Sequence, residues 1–256
     1  MLIAPGGSLG GARPKASVRD ERNRLWIAKF PSANDEDDIG AWERVVHDLA
    51  ERAGIVVPDA QLHLFGSKKA SGHGHRTFLT RRFDRTEDGE RLHFASAMTL
   101  TGRVDGQGAD DGVSYVELAD LLMRFGSRTT ADLEQLWRRI VFSICVSNTD
   151  DHLRNHGFML EPTGGALAPA YDMNPDPHGA GLKLNISETD NAQDLDLALS
   201  VASVFRVKKK RAEEIVADIT DTVKQWRTVA TSHELPRAAQ DRMLRAFRVA
   251  EASANR

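Results

Sequence analysis

Between Ser147 and Leu160 the chain reads SNTDDHLRNHGFML, directly after a long apolar segment. Asp150, Asp151, His152, Arg154, Asn155 and His156 crowd into this one stretch. Asp150 precedes Asn155 by five positions, and Asp172 follows Asn155 by 17. Phosphoryl transfer needs a group that orients or deprotonates the incoming hydroxyl, plus hard oxygen ligands for Mg2+. An Asp, an Asn five later and an Asp beyond a hairpin offer both. The hairpin matters, because two antiparallel strands bring their far end back beside their start. Asp150 then orients or deprotonates the acceptor, while Asn155 and Asp172 bind metal. An Asp–Asn spacing of five is common in polar loops with capping residues, so the order of all three carries the signal.

Lys29 and Glu43 fit the same chemistry. Lys29 falls late on a strand-like stretch whose alternation puts Leu25, Ile27 and Lys29 on one face. Glu43 falls on a helical stretch between Ile39, Val46 and Ala50, at spacings of four, three and four. A carboxylate on that apolar side is costly unless paired. A strand lysine paired with a helix glutamate is how kinases hold the α- and β-phosphates of ATP, and Asp, Asn, Asp in the order above is also theirs. The bland alternative is that both side chains snorkel to water. The opening GGSLGGARPK supplies glycines whose backbone N–H groups can approach phosphate oxygens closely. It is neither G-x-G-x-x-G nor a Walker A loop, so it adds little alone. Two rivals use the same residues. His152 and His156, at i and i+4, would share a helix face and with Asp150 suit a metal-dependent hydrolase, although no third strong ligand stands out nearby. A pseudokinase, binding nucleotide without turnover, would be expected to have lost Lys29, Asp150, Asn155 or Asp172, and all four are present.

Both kinds of element must position these groups. KASV and RLWIAKF flank the polar turn RDERN and read as a hairpin ended by Pro31. A helix follows, with Asn34 as cap, Asp37 three residues later, and an apolar stripe of Ile39, Trp42, Val45, Val46 and Leu49; Gly54 marks its end. IVVPDAQLHLFG and RTFLTRRFDR read as two further strands around the loop SKKASGHGH. From about Ser96 the character turns helical. SYVELADLLMRFG is one helix. TTADLEQLWRRIVFSICVSN is another, with Leu133, Leu136, Trp137, Ile140, Val141 and Ile144 at i, i+3, i+4 and Thr129 with Asp132 as a capping box. HGFML and ALAPAYD read as a short hairpin around EPTGG, and the tail from about Leu195 to Asn255 is mostly helix. The basic run Lys208–Arg211 reads as a solvated face. The boundary falls near residue 90: a small β-rich N-lobe (1–90) and a larger, mainly helical C-lobe (91–256), an α+β fold with its ligand crevice between the lobes.

The chain has 256 residues, enough for a real core in one domain or two small lobes. A net charge of −3 offers no global basic field to nucleic acid. The single cysteine, Cys145, excludes an intrachain disulfide and fits a reducing cytoplasm. The longest apolar run, Ile140–Val146, falls far short of the roughly 18 residues of a membrane span. The first residues lack the basic region and apolar core of a signal peptide. A cytoplasmic protein without membrane contact is the expectation.

Together and in this order, these residues resemble the HipA family of serine/threonine kinases, the toxin kinases of bacterial toxin–antitoxin operons. The resemblance spans nearly the whole chain. SLGGARPKASV is similar to the family's Gly-rich loop, IAKFP to its ATP-lysine strand, and WERVVHDLAERAGIVVPDA to its glutamate helix. RRFDR is similar to the hinge strand, NTDDHLRNHGF to the catalytic loop, LAPAYDMNP to the metal-binding motif, and LKLNIS and LALSVASVFRV to the C-terminal lobe. The resemblance implies a two-lobed kinase-like fold with ATP and Mg2+ between the lobes. By position it implies that Lys29, with Glu43, holds phosphates under a loop containing Ser8, Gly10 and Gly11. Arg81, Phe83 and His152 would line the nucleotide site, Asp150 would be catalytic, and Asn155 and Asp172 would bind Mg2+. It implies autophosphorylation at Ser8, which turns the kinase off; added charge amid the ATP-phosphate contacts gives the physical reason. It implies a protein substrate such as an aminoacyl-tRNA synthetase, and a DNA-binding antitoxin through which alone DNA is met. Three departures stand out. The chain begins just before the Gly-rich loop, where longer members carry an N-terminal subdomain, so either a short, split-type form served by a separate small N-terminal protein or a truncated form is expected. Arg81 stands where the hinge usually has an acidic residue. Asp151 replaces a glycine, and an extra carboxylate there is expected to raise its neighbour's pKa or recruit another cation.

Overall fold

The structure is a computed structural model that describes residues 2–5, 13–65 and 74–253. Its N-lobe holds β1 (Leu2–Pro5), β2 (Lys15–Arg19), β3 (Leu25–Lys29), α1 (Ile39–Arg52), β4 (Ala60–His63) and β5 (Thr77–Arg81). The strands form one antiparallel sheet in the order β1-β2-β3-β5-β4. The β2–β3 turn closes on Asp20, whose carboxylate accepts the backbone N–H groups of Arg22 and Arg24 and the Trp26 indole N–H. That turn pairs Arg19 with Leu25, and the register then sets Lys15 directly opposite Lys29. Strand alternation turns Trp26 and Ala28 to the other face, where both are buried.

Helix α1 differs from expectation at its start. The cap is Asp38, not Asn34: its carboxylate accepts from Ala41 N (3.2 Å) and also from Arg76 N (3.0 Å) and Nε (2.6 Å). The same carboxylate thus caps the helix and ties it to the approach to β5, a partner that local sequence does not reveal. Gly40 permits this close approach, since a Cβ there would collide with the Arg76 carbonyl. Trp42, Val45, Val46 and Leu49 of the expected stripe are fully buried.

The C-lobe runs β6 (Phe94–Ser96), α2 (Ala97–Thr101), α3 (Tyr115–Phe125), α4 (Thr129–Val146), β7 (Gly157–Glu161), β8 (Gly164–Leu167), α5 (Leu195–Val201), α6 (Lys209–Val223), α7 (Trp226–Ser232), α8 (Arg237–Met243) and α9 (Arg248–Ala252). β6, β7 and β8 form a small antiparallel sheet, with the expected β7–β8 hairpin inside it. The stripe of α4 is wholly buried, but the Thr129–Asp132 capping box does not form. Thr129 instead donates its hydroxyl to the carbonyls of Leu122 and Gly126, and Asp132 accepts from Leu167 N (2.9 Å). Both residues are drawn to tertiary partners that leave more buried backbone satisfied than a local cap would. Lys208–Arg211 is exposed, as a solvated face should be. The apolar face of α1 is buried by the chain's end: Trp42 meets Trp226 at 6.1 Å and Phe247 at 6.3 Å between ring centroids. Among the described residues no helix is long and apolar enough to cross a membrane.

Candidate active site

A cleft of about 320 Å³ lies where β2, β3 and the end of β5 face the loop after α4 and the segment after β8. Lys29 sits at its inner wall. Its Nζ donates to Glu43 Oε1, with the expected strand–helix pairing, and to Asp172 Oδ1 at 2.6 Å. Lys15, its cross-strand neighbour, reaches within 3.7 Å of Asp172 Oδ2 and lines the same cleft. Two ammonium groups therefore face two carboxylates. Burial would strip the charge from Lys29, but Glu43 and Asp172 overrule it and hold the ammonium well above its usual range. Burial raises Glu43 against the pull of Lys29. Burial also pushes Asp172 up, but Lys29 and Lys15 prevail and bring it to about 2. Asp172 takes a left-handed backbone (φ 59°), a strained conformation of the kind that gathers at functional sites.

The loop after α4 is built to stand still. Ser147, left-handed at φ 49°, ends the helix and donates its hydroxyl to Ala246 O (2.8 Å). Buried Asn148 accepts from Asn174 N (3.0 Å), and Thr149 donates to Asp176 Oδ2 (2.9 Å), so the loop is fixed to the segment carrying Asp172. Asn155 and His152 line the cleft, as expected. Asp150 does not line it. It is exposed, with its carbonyl accepting from Asn155 Nδ2 (3.1 Å), and so its carboxylate is open to an incoming group from solvent. With Nδ2 engaged, the Asn155 Oδ1 remains as an acceptor. That oxygen and the ionised Asp172 carboxylate make a hard donor set that fits Mg2+.

One rival reading and one expectation fail here. His152 and His156 do not share a helix face. Only a single 3-10 turn, Leu153–Asn155, separates them, and both flanking residues are extended. His152 faces the cleft, while His156 is buried against Tyr115, so the Asp150–His152–His156 metal set does not assemble. The three-residue His/Asp/Glu group found among the described residues lies elsewhere, at His47, Asp48 and Glu51. Asp151 is likewise not an extra cleft carboxylate: it is buried, accepting from the Tyr115 hydroxyl at 2.7 Å with His156 Nε2 at 3.1 Å. At the hinge, Arg81 lines the cleft and pairs with Glu87 and Asp59. Phe83 contacts Tyr171 (5.5 Å) and Phe94 (5.8 Å) to form an aromatic wall. Ser8, Gly10 and Gly11 lie outside the described residues. Sequence reasoning missed Lys15 and Tyr171. The first was within reach, since the turn that pairs Arg19 with Leu25 places Lys15 beside Lys29.

A small antiparallel sheet with one helix, a mainly helical lobe and the Lys29–Glu43 pair at the cleft between them define a two-lobed, kinase-like fold. Solved structures agree at the level of fold. The chain is similar to Shewanella oneidensis MR-1 HipA, from a toxin–antitoxin complex with HipB and its operator DNA: the TM-score is 0.72 at 18% identity, over 97% of this chain and 65% of that one. It is also similar to the Helicobacter pylori proinflammatory kinase CtkA, with a TM-score of 0.55 at 13% identity over 94% of each chain. In sequence it is 30% identical over 229 residues to the Sinorhizobium fredii protein named "Putative kinase Y4dM", covering 84% of this chain and 54% of that one. The chain spans about half the length of the curated relatives it matches. The model of the HipA-like C-terminal domain matches residues 7–227, and the chain belongs to that family.

Proposed function

We propose that this chain is an ATP-dependent serine/threonine protein kinase. The observation that carries the reading is Lys29, held in one buried cluster by Glu43 and Asp172 at the wall of a cleft that Asn155 also lines. On this reading the adenine lies toward Arg81, Phe83 and Tyr171, and the phosphates lie toward Lys29, Lys15 and His152. Asn155 and Asp172 would hold Mg2+, which when bound neutralises charge on the phosphates. Asp150 orients the acceptor hydroxyl and takes its proton. The hydroxyl oxygen bonds to the γ-phosphorus as the bond to the β–γ bridging oxygen breaks, and ADP leaves with that electron pair.

The acceptor is a serine or threonine of a protein, with an aminoacyl-tRNA synthetase as the proposed class and Ser8 as the proposed internal acceptor. A DNA-binding antitoxin is the proposed partner, by analogy with the HipA–HipB–operator complex that the fold resembles. The test is incubation with Mg2+ and γ-labelled ATP, with Asp150→Asn alongside and the phosphosites mapped. Label is expected at Ser8, falling by about 10²–10⁴-fold in the variant while nucleotide still binds. Nucleotide binding without transfer by the natural chain would make it a pseudokinase, and no nucleotide binding would refute the site.

A further inference from the structure

We propose that Tyr115, Asp151 and His156 form a buried brace that fixes the spacing of Asp150 and Asn155, and so serve as positioning residues for the phosphotransfer. The inference rests on the kinase reading of the same loop. All three side chains lie in the interior: Tyr115 is 0%, His156 2% and Asp151 5% exposed. A carboxylate is buried there only if other groups satisfy it. Asp151 Oδ2 accepts from the Tyr115 hydroxyl at 2.7 Å, and His156 Nε2 packs 3.1 Å from the same oxygen without the alignment of a hydrogen bond. The Tyr115 and His156 rings meet edge to face at 5.6 Å and 89°.

The placement of the three is what gives them a role. Asp151 directly follows Asp150, and His156 directly follows Asn155. The contact between Asp151 and His156 therefore closes the loop at its base, one residue beyond each of the two groups that act. Asn155 Nδ2 to Asp150 O, at 3.1 Å, is a second tie across the same loop. Outside the loop, Tyr115 opens α3 and the His156 carbonyl accepts from Ala97 N (2.8 Å), so the brace is anchored to two elements that carry no catalytic group. None of the three lines the cleft. Through Asp150 the brace bears on the acceptor side and through Asn155 on the Mg2+ position, while the wall of Lys29, Phe83 and Tyr171 holds none of its three residues.

Tyr115→Phe removes one hydroxyl and keeps the ring, and Asp151→Asn keeps the shape while changing the donor pattern. Each is expected to lower kcat by between about tenfold and about a hundredfold, the scale of a displacement near 1 Å, with the Kd for ATP measured without Mg2+ unchanged. Kinetics with a peptide or autophosphorylation readout, ATP binding by calorimetry and a thermal melt would be run on each variant beside Asp150→Asn. If Tyr115→Phe does not fold, Asp151→Asn carries the same test. Turnover within twofold of the natural chain would overturn the brace, as would equal losses of turnover and of ATP affinity measured without Mg2+. If Asp150→Asn also keeps full turnover, the kinase reading itself fails. Loss in Asp150→Asn with no loss in the brace variants fails the brace alone.

Discussion

Lys29 is a cation enclosed by two carboxylates, and that enclosure decides what its removal does. Lys29→Met keeps the length of the side chain but leaves Glu43 buried and without its donor. Breaking a buried pair from one side typically costs about 3–5 kcal/mol, because the remaining charge is uncompensated. The variant is therefore expected to unfold at clearly lower urea and to lose nucleotide affinity. Glu43→Gln is the milder change, since its amide oxygen can still accept from Lys29 and no lone carboxylate is stranded. Urea midpoints of the two variants compared with the natural chain check the order. A Lys29→Met midpoint no lower than that of Glu43→Gln would mean that Asp172 and Lys15 carry the cluster alone. Lys15 gives the cluster a second cation, so affinity lost in Lys29→Met is expected to fall short of complete.

At the scale of elements, α1 depends on one carboxylate for its start. Asp38→Ala removes both the cap on Ala41 N and the Arg76 contacts. Caps of this kind are worth about 0.5–2 kcal/mol. A double-mutant cycle with Arg76→Ala should show coupling between the two, read as non-additive urea midpoints. The same helix marks what could be read from the sequence. Its apolar stripe was evident because Trp42, Val45, Val46 and Leu49 recur at helical spacing, and Glu43 stood out as a charge on the buried side. Its cap was not, because Asp38 is chosen by Arg76, which is 38 positions away. Helix α4 repeats the lesson: its span follows from periodicity, while Asp132 serves Leu167 N rather than its own helix end. The order of Asp150, Asn155 and Asp172 was readable because the β7–β8 hairpin obliges the chain to return. The His152–His156 spacing supports no shared face, because i and i+4 share one only within an α-helix, and here the two residues are extended on either side of a single 3-10 turn. Asp151 misled because the groups that take its carboxylate into the interior, Tyr115 and His156, meet it only in the folded chain.

At the scale of the whole molecule, the N-lobe helix is held by the far end of the chain. Asp37 pairs with Arg242, Arg76 donates to the His233 carbonyl (2.5 Å), and Asp48 accepts from His233 Nε2 at 2.7 Å. These contacts surround the Trp42–Trp226–Phe247 cluster and keep α1 where Glu43 can reach Lys29. Burial would raise the Asp48 carboxyl, but His233, His47 and Arg44 hold it well below the usual carboxylate range. A depressed folded pKa means that the folded state binds its proton less readily than the unfolded chain. Its stabilising share is complete above the unfolded value of about 3.9 and is lost as pH falls through the lower folded value. Asp48→Asn is therefore expected to unfold at lower urea than the natural chain at pH about 6, with the gap closing as the pH drops below about 4. The effect should appear in ATP affinity as well, since a loosened α1 withdraws Glu43 from Lys29. A gap in midpoint that stays constant down to acid pH would assign the role of Asp48 to packing and hydrogen bonding rather than to its charge. A change in stability with no change in ATP affinity would separate the anchoring of α1 from the placement of Glu43.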